Sequence, residues 1–553
     1  MATWTTASFP AGNTLAYQSS LNDKPFATQW TSLADVTPDG LVELQTLVEI
    51  DTAVLGQGGS PYRQRTRLLC TTDFEPVRYE IESSGKSWSL DFEGDAIVVH
   101  PPGGDAPQRL PRGGAEFLFG AVGHQAIIVA VLGERGRLDD ATLTVFLPDP
   151  LMAVPYRLWR APDLGEGHWL CSSHEEELLV DADGRLREVR LPKRGVRTVL
   201  LEPPPALPAW SREASIARAA VKYAPPADSH FQLLDVTIPG PVTPIGATLT
   251  VPRGTGPFPA VLFLSGSGAH DRHGIAGEID IGTHEIVDFL AERGFAGLRY
   301  DTRGAGTTRF GRDALDFGLS ALLDDAVACL EFLRNRPEVE PQRVALIGHS
   351  EGGLVALALA VRRGAAPKAI VLMASLGRTL DEVMFDQLES QGRVMGLSDA
   401  QIESQRKELR AFVDLARSDR PSEPGALPDH LLGLLRSRTW LREHLEHPAT
   451  TLVAQLRCRL LVCHGEKDFQ VSRERDAERL VAAARAASVD VDFMTFPDLD
   501  HLFKHADGES TMAQYYDARR HVSADFLARL HGWLVDAVGT RPDHVVPPAA
   551  NST

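Results

Sequence analysis

The chain has 553 residues, 43% hydrophobic and 24% charged, with a formal net charge of −18. That length excludes one ordinary domain and gives a prior of about three to four, and the composition is that of a soluble globular protein. The acidic balance argues against nucleic acid and anionic membrane surfaces as partners, because both attract basic proteins. Five cysteines (Cys70, Cys171, Cys329, Cys458, Cys463) are scattered, with no Cys-x-x-Cys pair and no Cys/His group at zinc spacing. A reducing compartment therefore fits better than a disulfide framework. The segment Met1–Pro10 has no basic stretch followed by an apolar one, and no run of about 18 apolar residues occurs anywhere. The expected location is the cytoplasm.

Residues 1–200 read as a mainly antiparallel β domain. Thr46–Thr52, Val77–Glu82, Ser87–Phe92, Ala96–His100, Ala126–Val131, Thr142–Leu147, Leu178–Asp181 and Val196–Leu201 all fit strands. Several alternate apolar with polar, and turns such as Glu93-Gly94, Pro102-Gly103-Gly104 and Asp183-Gly184 separate them. The pattern predicts a sheet or sandwich with one solvated face, and the lack of a repeat period argues against a propeller. His168 and His174 read as surface or packing residues. Residues 201–230 form a proline-rich linker, with a short helix over Ser211–Val221.

From residue 231 the pattern becomes alternating strand and helix. Leu233–Ile238 and Ala247–Val251 suit an opening hairpin, and Pro259–Leu264 suits a strand buried on both faces. Strands at Ala296–Asp301, Val344–Ile347, Ala369–Ala374, Leu460–Gly465 and Val489–Phe496 alternate with helices. Alternation of this kind implies a doubly wound, mostly parallel α/β sheet over 231–378 and 458–537. Residues 379–457 interrupt it with predicted helices at Thr379–Val394, Ser398–Arg417 and Asp429–Leu445, which read as a helical cap. The tail 538–553 is expected to be disordered.

The centre of the chemistry is Val344–Leu354, in which an apolar strand runs into Gly348-His349-Ser350-Glu351-Gly352 and then an apolar helix. A turn this sharp strains its central residue and needs small residues two before and two after it; it also exposes the Ser350 hydroxyl beside helix N–H groups. A serine nucleophile needs a base, and the base needs an orienting acid. Asp468 follows the next-to-last strand and His501 follows the last. Glu466 and His505 are the nearby alternatives. One oxyanion donor is expected to be the N–H of Glu351. The other is expected in the loop Ser265–Arg272, from Ser267 or, alternatively, Gly268. Asp271 and Arg272 read as a pair holding that loop. The glycine-rich Asp301–Gly306 lacks phosphate-loop spacing, and Arg303 reads as a brace between loops. Met384, Phe385, Leu388, Leu434, Leu435 and Trp440 are too apolar for a free surface; Trp440, Leu435 and Phe385 in particular are read as a wall of the substrate pocket.

Together these motifs resemble the α/β-hydrolase superfamily. The matching residues are Leu264–Gly268, Arg299–Gly306, Gly348–Gly353, His464–Asp468 and Asp500-His501. The loop after Leu264 and the Gly-His-Ser-Glu-Gly-Gly elbow are similar to bacterial carboxylesterases of the dienelactone-hydrolase-like and prolyl-oligopeptidase-like group. Two departures stand out: Ser265 occupies a position where many relatives carry histidine, and Ser350 stands where dienelactone hydrolases proper use cysteine. The resemblance covers about residues 231–537. It implies a serine hydrolase cleaving a carboxylic ester through an acyl-enzyme, with no cofactor and no metal. The implied partner is a small-molecule ester or acyl substrate, with no nucleic acid and no membrane. Alternatives are a prolyl-oligopeptidase-like peptidase, an acyl thioesterase and, from another class, an inactive scaffold. The oligomeric state is left open, a homodimer included.

Overall fold

The computed structural model describes residues 14–34, 37–56, 61–83, 86–100, 107–148, 152–171, 176–210, 223–309, 318–418 and 437–539. The expected helix at Ser211–Val221, His174, Leu434, Leu435 and the tail beyond Gly539 lie outside these residues. The chain divides into two compact units: Met1–Arg218 with Gln391–Arg436, and Ala219–Ser390 with Ser437–Thr553.

In the first unit, fifteen strands among the described residues pair in one sheet. The strand Thr14–Leu21 lies inside it, paired antiparallel with Lys24–Leu33 on one side and with Val196–Leu200 on the other. Successive hairpins run outward from both. The short strand Phe117–Leu118 is parallel to its neighbour Asp140–Leu147. One strand that was hard to foresee is Tyr62–Cys70, which carries three arginines. Each pairs with a carboxylate on a neighbouring strand: Arg63–Glu49 at 2.8 Å, Arg65–Glu82 at 3.1 Å and Arg67–Glu43 at 2.9 Å. These cross-strand pairs stabilise a solvated face that hydrophobic alternation alone does not reveal.

Ala126–Val131 is not the strand its composition suggested. It belongs to the helix Val122–Glu134, which packs on the strands Thr14–Leu21, Lys24–Leu33 and Leu186–Leu191. Residues 126–132 are all buried. A helix covered on every side needs no polar face, so its sequence loses the 3.6-residue period and looks like a buried strand.

The second unit holds an eight-stranded sheet. Its strands are β1 (Phe231–Ile238), β2 (Ile245–Pro252), β3 (Phe258–Leu264), β4 (Ala296–Tyr300), β5 (Val339–His349), β6 (Ala369–Met373), β7 (Arg459–Gly465) and β8 (Val491–Phe496). The order across the sheet is β1-β2-β4-β3-β5-β6-β7-β8. Only β2 runs antiparallel to its neighbours. Helices Leu319–Arg334, Glu351–Arg362, Ala449–Val453 and Glu478–Ala486 share one core layer. Thr283–Ala291 and Ala524–Val538 share the other. All seven residues of β3 are buried, as befits a strand covered on both faces. The parallel strands present their C-terminal ends along one edge, and the chemistry of such sheets gathers there.

The insertion is divided between the units. Helix Asp399–Arg417 begins at a capping box in which Ser398 and Gln401 satisfy each other's N–H groups. It groups with the first unit, where Arg194 pairs with Glu408 at 3.1 Å and Asn22 donates to the Gly396 carbonyl at 2.9 Å. The first turns of Leu380–Val394 and the helices Arg438–Leu445 and Ala449–Val453 group with the second. No helix among the described residues is long and apolar enough to cross a membrane. All five cysteines are free thiols.

Candidate active site

Val344–Ile347 are buried in the middle of the sheet. The chain then leaves β5, turns at Ser350 and enters helix Glu351–Arg362 at once. Ser350 has φ 55° and ψ −120°, a region a serine enters at a cost of about 1–3 kcal/mol. The packing imposes it. A Cβ on Gly348 would lie 2.3 Å from the Gly352 carbonyl oxygen, and one on Gly352 would lie 2.0 Å from that of Leu264. Only hydrogen fits at either position. The Ser350 N–H donates to the Met373 carbonyl at 2.8 Å, which ties the apex to β6.

Asp468 sits in the turn after β7. Its Oδ1 accepts the N–H groups of Gln470 (2.8 Å) and Val471 (3.0 Å), and its Oδ2 accepts from His501 Nδ1 at 2.7 Å. The Asp468 side chain is fully buried and that of His501 nearly so. Burial pushes the Asp468 carboxyl up, but His501, its hydrogen bond, His464 and the Val471 N–H together hold it below the usual carboxylate value. With Nδ1 donating to Asp468, the neutral His501 ring leaves Nε2 as an acceptor.

The loop bearing His501 is shaped by Asp500. Its Oδ1 accepts the N–H of Leu502 (2.9 Å) and Lys504 (3.1 Å), and its Oδ2 pairs with Arg520 at 2.6 Å. An aspartate accepting N–H groups two and four residues on is a local turn signal, legible in principle from Asp500 alone. The alternatives to the pair lie elsewhere: Glu466 bonds Arg473 at 2.7 Å, and His505 is exposed beside Asp507.

His349 joins the elbow to this loop. Its Nε2 donates to the His501 carbonyl at 2.9 Å, and the two rings stand 4.8 Å apart. Burial pushes the His349 pKa down from 6.5 to about 3. The unfolded chain therefore takes up a proton as pH falls below 6.5, whereas the folded one does not until about 3. Across that window the imidazole costs up to about 1.4 kcal/mol of stability per pH unit. His349→Gln, which can still donate to the His501 carbonyl, is expected to flatten the acid limb. Urea midpoints at pH 7 and pH 5, followed by hydrogen exchange in helix Glu351–Arg362, check this. Equal acid slopes in both proteins would contradict it.

The loop after β3 passes directly over the apex: a Cβ on Gly266 would lie 3.1 Å from Ser350 Cβ. His270 Nε2 donates to the Ser267 carbonyl at 2.7 Å. Arg272 does not pair with Asp271 as expected. It grips Asp301 through its N–H and Nε (2.7 and 3.0 Å to Oδ1) and through Nη2 (2.7 Å to Oδ2), joining this loop to the one after β4. Asp271 instead closes a turn by accepting the N–H groups of His273 and Ile275. Arg303 braces helix Leu319–Arg334 through a bidentate pair with Asp325 at 2.7 and 3.0 Å.

Glu351 follows the apex, and as the first residue of its helix it has an N–H without an intrahelical acceptor. Its side chain is buried, at 8% relative exposure. Trp440 donates its indole N–H to the carboxylate, and His444 Nε2 lies 2.7 Å from Oε1. Burial alone raises the Glu351 carboxyl, and these partners reverse the effect and hold it below its ordinary value. Sequence reading assigned Glu351 a backbone role and Trp440 an apolar one, and missed this side-chain cluster. Phe385 is half-buried on helix Leu380–Val394, and Leu435 lies outside the described residues.

Two other groups of polar side chains are already satisfied by their own neighbours. Asp280, His284 and Glu285 bring three donor atoms within 4.8 Å of one another. His284 Nε2 already pairs with Asp280 at 3.0 Å, and Glu285 accepts the Val522 N–H at 3.0 Å. A cavity of about 310 Å³ in the first unit is lined by Arg65, Arg67, Arg78, Glu80, Glu82 and His100, among others. Its charges neutralise one another, as Arg78 does with Glu80 at 2.9 Å and Asp91 at 2.8 Å.

Residues 272–505 match the family model Hydrolase_4, described as "Serine aminopeptidase, S33". That stretch contains Ser350, Asp468 and His501 but not the loop at Ser265–Asp271. Among characterised proteins, the chain is 28% identical to the esterase EstD of Thermotoga maritima over 306 residues, covering 55% of this chain and 68% of EstD. It is 30% identical to the esterase FrsA of Escherichia coli over 190 residues, which covers 32% of this chain and 42% of FrsA. Solved structures with weaker likeness include Est1E from Butyrivibrio proteoclasticus with bound ferulic acid (TM-score 0.36, 16% identity, 55% of this chain and all of that one). Another is the Pyrococcus furiosus esterase Pf2001 (TM-score 0.37, 17% identity, 58% of this chain and 97% of that one).

Proposed function

We propose that this chain, which carries over residues 272–505 the α/β-hydrolase domain of the serine aminopeptidase S33 family, is a carboxylesterase working through Ser350, His501 and Asp468. The observation that carries the reading is the 2.7 Å bond from His501 Nδ1 to the buried Asp468, made in a loop that touches the strained Ser350 elbow through His349. The likeness to the esterase EstD, which extends over 55% of this chain, supports it.

In the proposed mechanism Ser350 attacks the ester carbonyl while His501 Nε2 takes its proton. Asp468 holds the tautomer that makes Nε2 basic and balances the imidazolium. The N–H groups of Ser267 and Glu351 hold the developing oxyanion. His501 then protonates the leaving alkoxide, and a water activated by the same ring releases the acid. The acyl chain lies against the ring of Trp440, with Phe385 as a further wall residue. No step calls for a metal or organic cofactor.

A second reading is peptide hydrolysis, which the description of the family model favours. An amide has the poorer leaving group and demands firm protonation of nitrogen and close placement of the backbone. We expect turnover of short to medium acyl p-nitrophenyl esters with kcat/KM at least about a hundredfold above that of prolyl or aminoacyl p-nitroanilides. Comparable values on the best ester and the best anilide would favour the peptidase.

A further inference from the structure

We propose that His270 is a positioning residue: its ring holds the Ser267–Gly268 amide by the carbonyl end and so keeps the oxyanion donor of that loop, the Ser267 N–H, in place over the Ser350 apex. The inference rests on the esterase reading above and adds to it what keeps the hole in shape.

The two N–H groups assigned to the oxyanion come from different elements, Ser267 from the loop after β3 and Glu351 from the helix after β5. The helix is rigid, but the loop has little stiffness of its own. Gly266 and Gly268 flank Ser267, and Gly268 has φ 108°, a region where glycine moves freely. Ser267, Gly268 and Ala269 are exposed, so no core packing fixes them. Restraint comes instead from His270, whose Nε2 donates to the Ser267 carbonyl at 2.7 Å. The ring lies close: a Cβ on Gly268 would stand 3.3 Å from that Nε2. A trans amide is planar, with its C=O and N–H on opposite edges. Gripping the Ser267 carbonyl therefore fixes the whole Ser267–Gly268 plane and pins the Cα from which the Ser267 N–H extends on the other side. An oxyanion hole works only when its donors are placed before the charge appears, to within about half an ångström.

His270 is itself held from the loop after β4. Its N–H donates to Thr302 Oγ1 at 2.9 Å, and the Thr302 N–H donates back to the His270 carbonyl at 3.0 Å. The Thr302 hydroxyl also faces the Gly268 carbonyl at 3.1 Å, which ties the next amide of the loop to the same residue. Beside Thr302, Asp301 is gripped by Arg272, two residues beyond His270. The ring's protonation follows from its partners. A carbonyl only accepts, so Nε2 carries a proton. Nδ1 is buried and has no hydrogen-bond partner among the described residues. A second proton there would be an unpaired N–H in the interior, and burial accordingly holds the His270 pKa below its ordinary value. The neutral ring thus commits its one proton to the Ser267 carbonyl.

The test separates placement from packing. His270→Phe keeps a ring and removes the donor; His270→Gln keeps an N–H that can reach the same carbonyl. His270→Phe is expected to lower kcat on p-nitrophenyl butyrate about tenfold or more, with KM within about twofold, because the oxyanion exists only in the transition state. His270→Gln is expected to restore kcat to within about threefold of wild type. A kcat for His270→Phe within about twofold of wild type, a glutamine variant as slow as the phenylalanine one, or a loss confined to KM would overturn the proposal. If His270→Phe fails to fold, His270→Ala and Thr302→Val carry the test on the same criteria for kcat and KM. If the wild type hydrolyses no ester, the esterase reading fails and His270 is scored on the rate at which a fluorophosphonate modifies Ser350, since that adduct places an oxygen in the same hole. Equal rates for wild type and His270→Phe would then overturn the positioning role, and no labelling of wild type would overturn both.

Discussion

Ser350→Ala is expected to abolish ester hydrolysis while leaving the fold intact. The serine supplies the covalent step, and losing a nucleophile of this kind costs roughly four orders of magnitude or more in kcat. Little stability is at stake. The strain at φ 55° is set by the close approach of Gly348 and Gly352 to their neighbours, and alanine meets the same strain as serine. The change in unfolding free energy should stay within about 1 kcal/mol. A variant retaining more than about a tenth of wild-type kcat would remove Ser350 from the chemistry.

The second large effect belongs to the pair behind it. His501→Ala should approach the loss seen for Ser350→Ala. Asp468→Asn should cost about a thousandfold or more, for a reason visible in the turn. Asp468 Oδ1 accepts two backbone N–H groups, so an asparagine would keep its oxygen there and turn its NH₂ toward His501. Nδ1 would then have to accept, the proton would move to Nε2, and the base would be lost. Adding either change to Ser350→Ala should cost nothing further, because the three act as a unit. Stability gives an independent check. The Asp468 carboxyl lies below its ordinary value in the fold, so its contribution is present above the ordinary carboxylate range and vanishes as pH falls through the lowered value. Asp468→Asn should therefore be less stable than wild type at pH 7 and approach it in acid. A gap between the two proteins that widens in acid would contradict the assignment.

What the sequence made legible follows from how each feature is encoded. The continuous apolar run of β3 and the two glycines around Ser350 are local, and neither has a second reading once strand and helix flank the turn. The positions of Asp468 and His501 were readable because topology fixes which strand ends meet. Helix Val122–Glu134 was unreadable because full burial erases its period. The strand Tyr62–Cys70 was hidden because its partners Glu43, Glu49 and Glu82 lie on neighbouring strands, which spacing within one strand cannot report. Glu351 shows the same limit at the site. Its place at the start of the helix follows from the elbow, but Trp440 and His444 are about ninety residues away, and only the fold brings them to its carboxylate. Arg272 likewise chose Asp301 over its own neighbour Asp271, because two rigid loops meet where the nearer carboxylate is already engaged in a turn.

The most direct measurement of the central claim is to treat folded protein with a fluorophosphonate, digest it and map the adduct by mass spectrometry, with Ser350→Ala and His501→Ala as controls. The account predicts one stoichiometric adduct on the peptide carrying Ser350. It should be absent in Ser350→Ala and slowed at least about a hundredfold in His501→Ala. An unlabelled Ser350, or labelling that His501→Ala leaves at the wild-type rate, would contradict a serine hydrolase built on these residues.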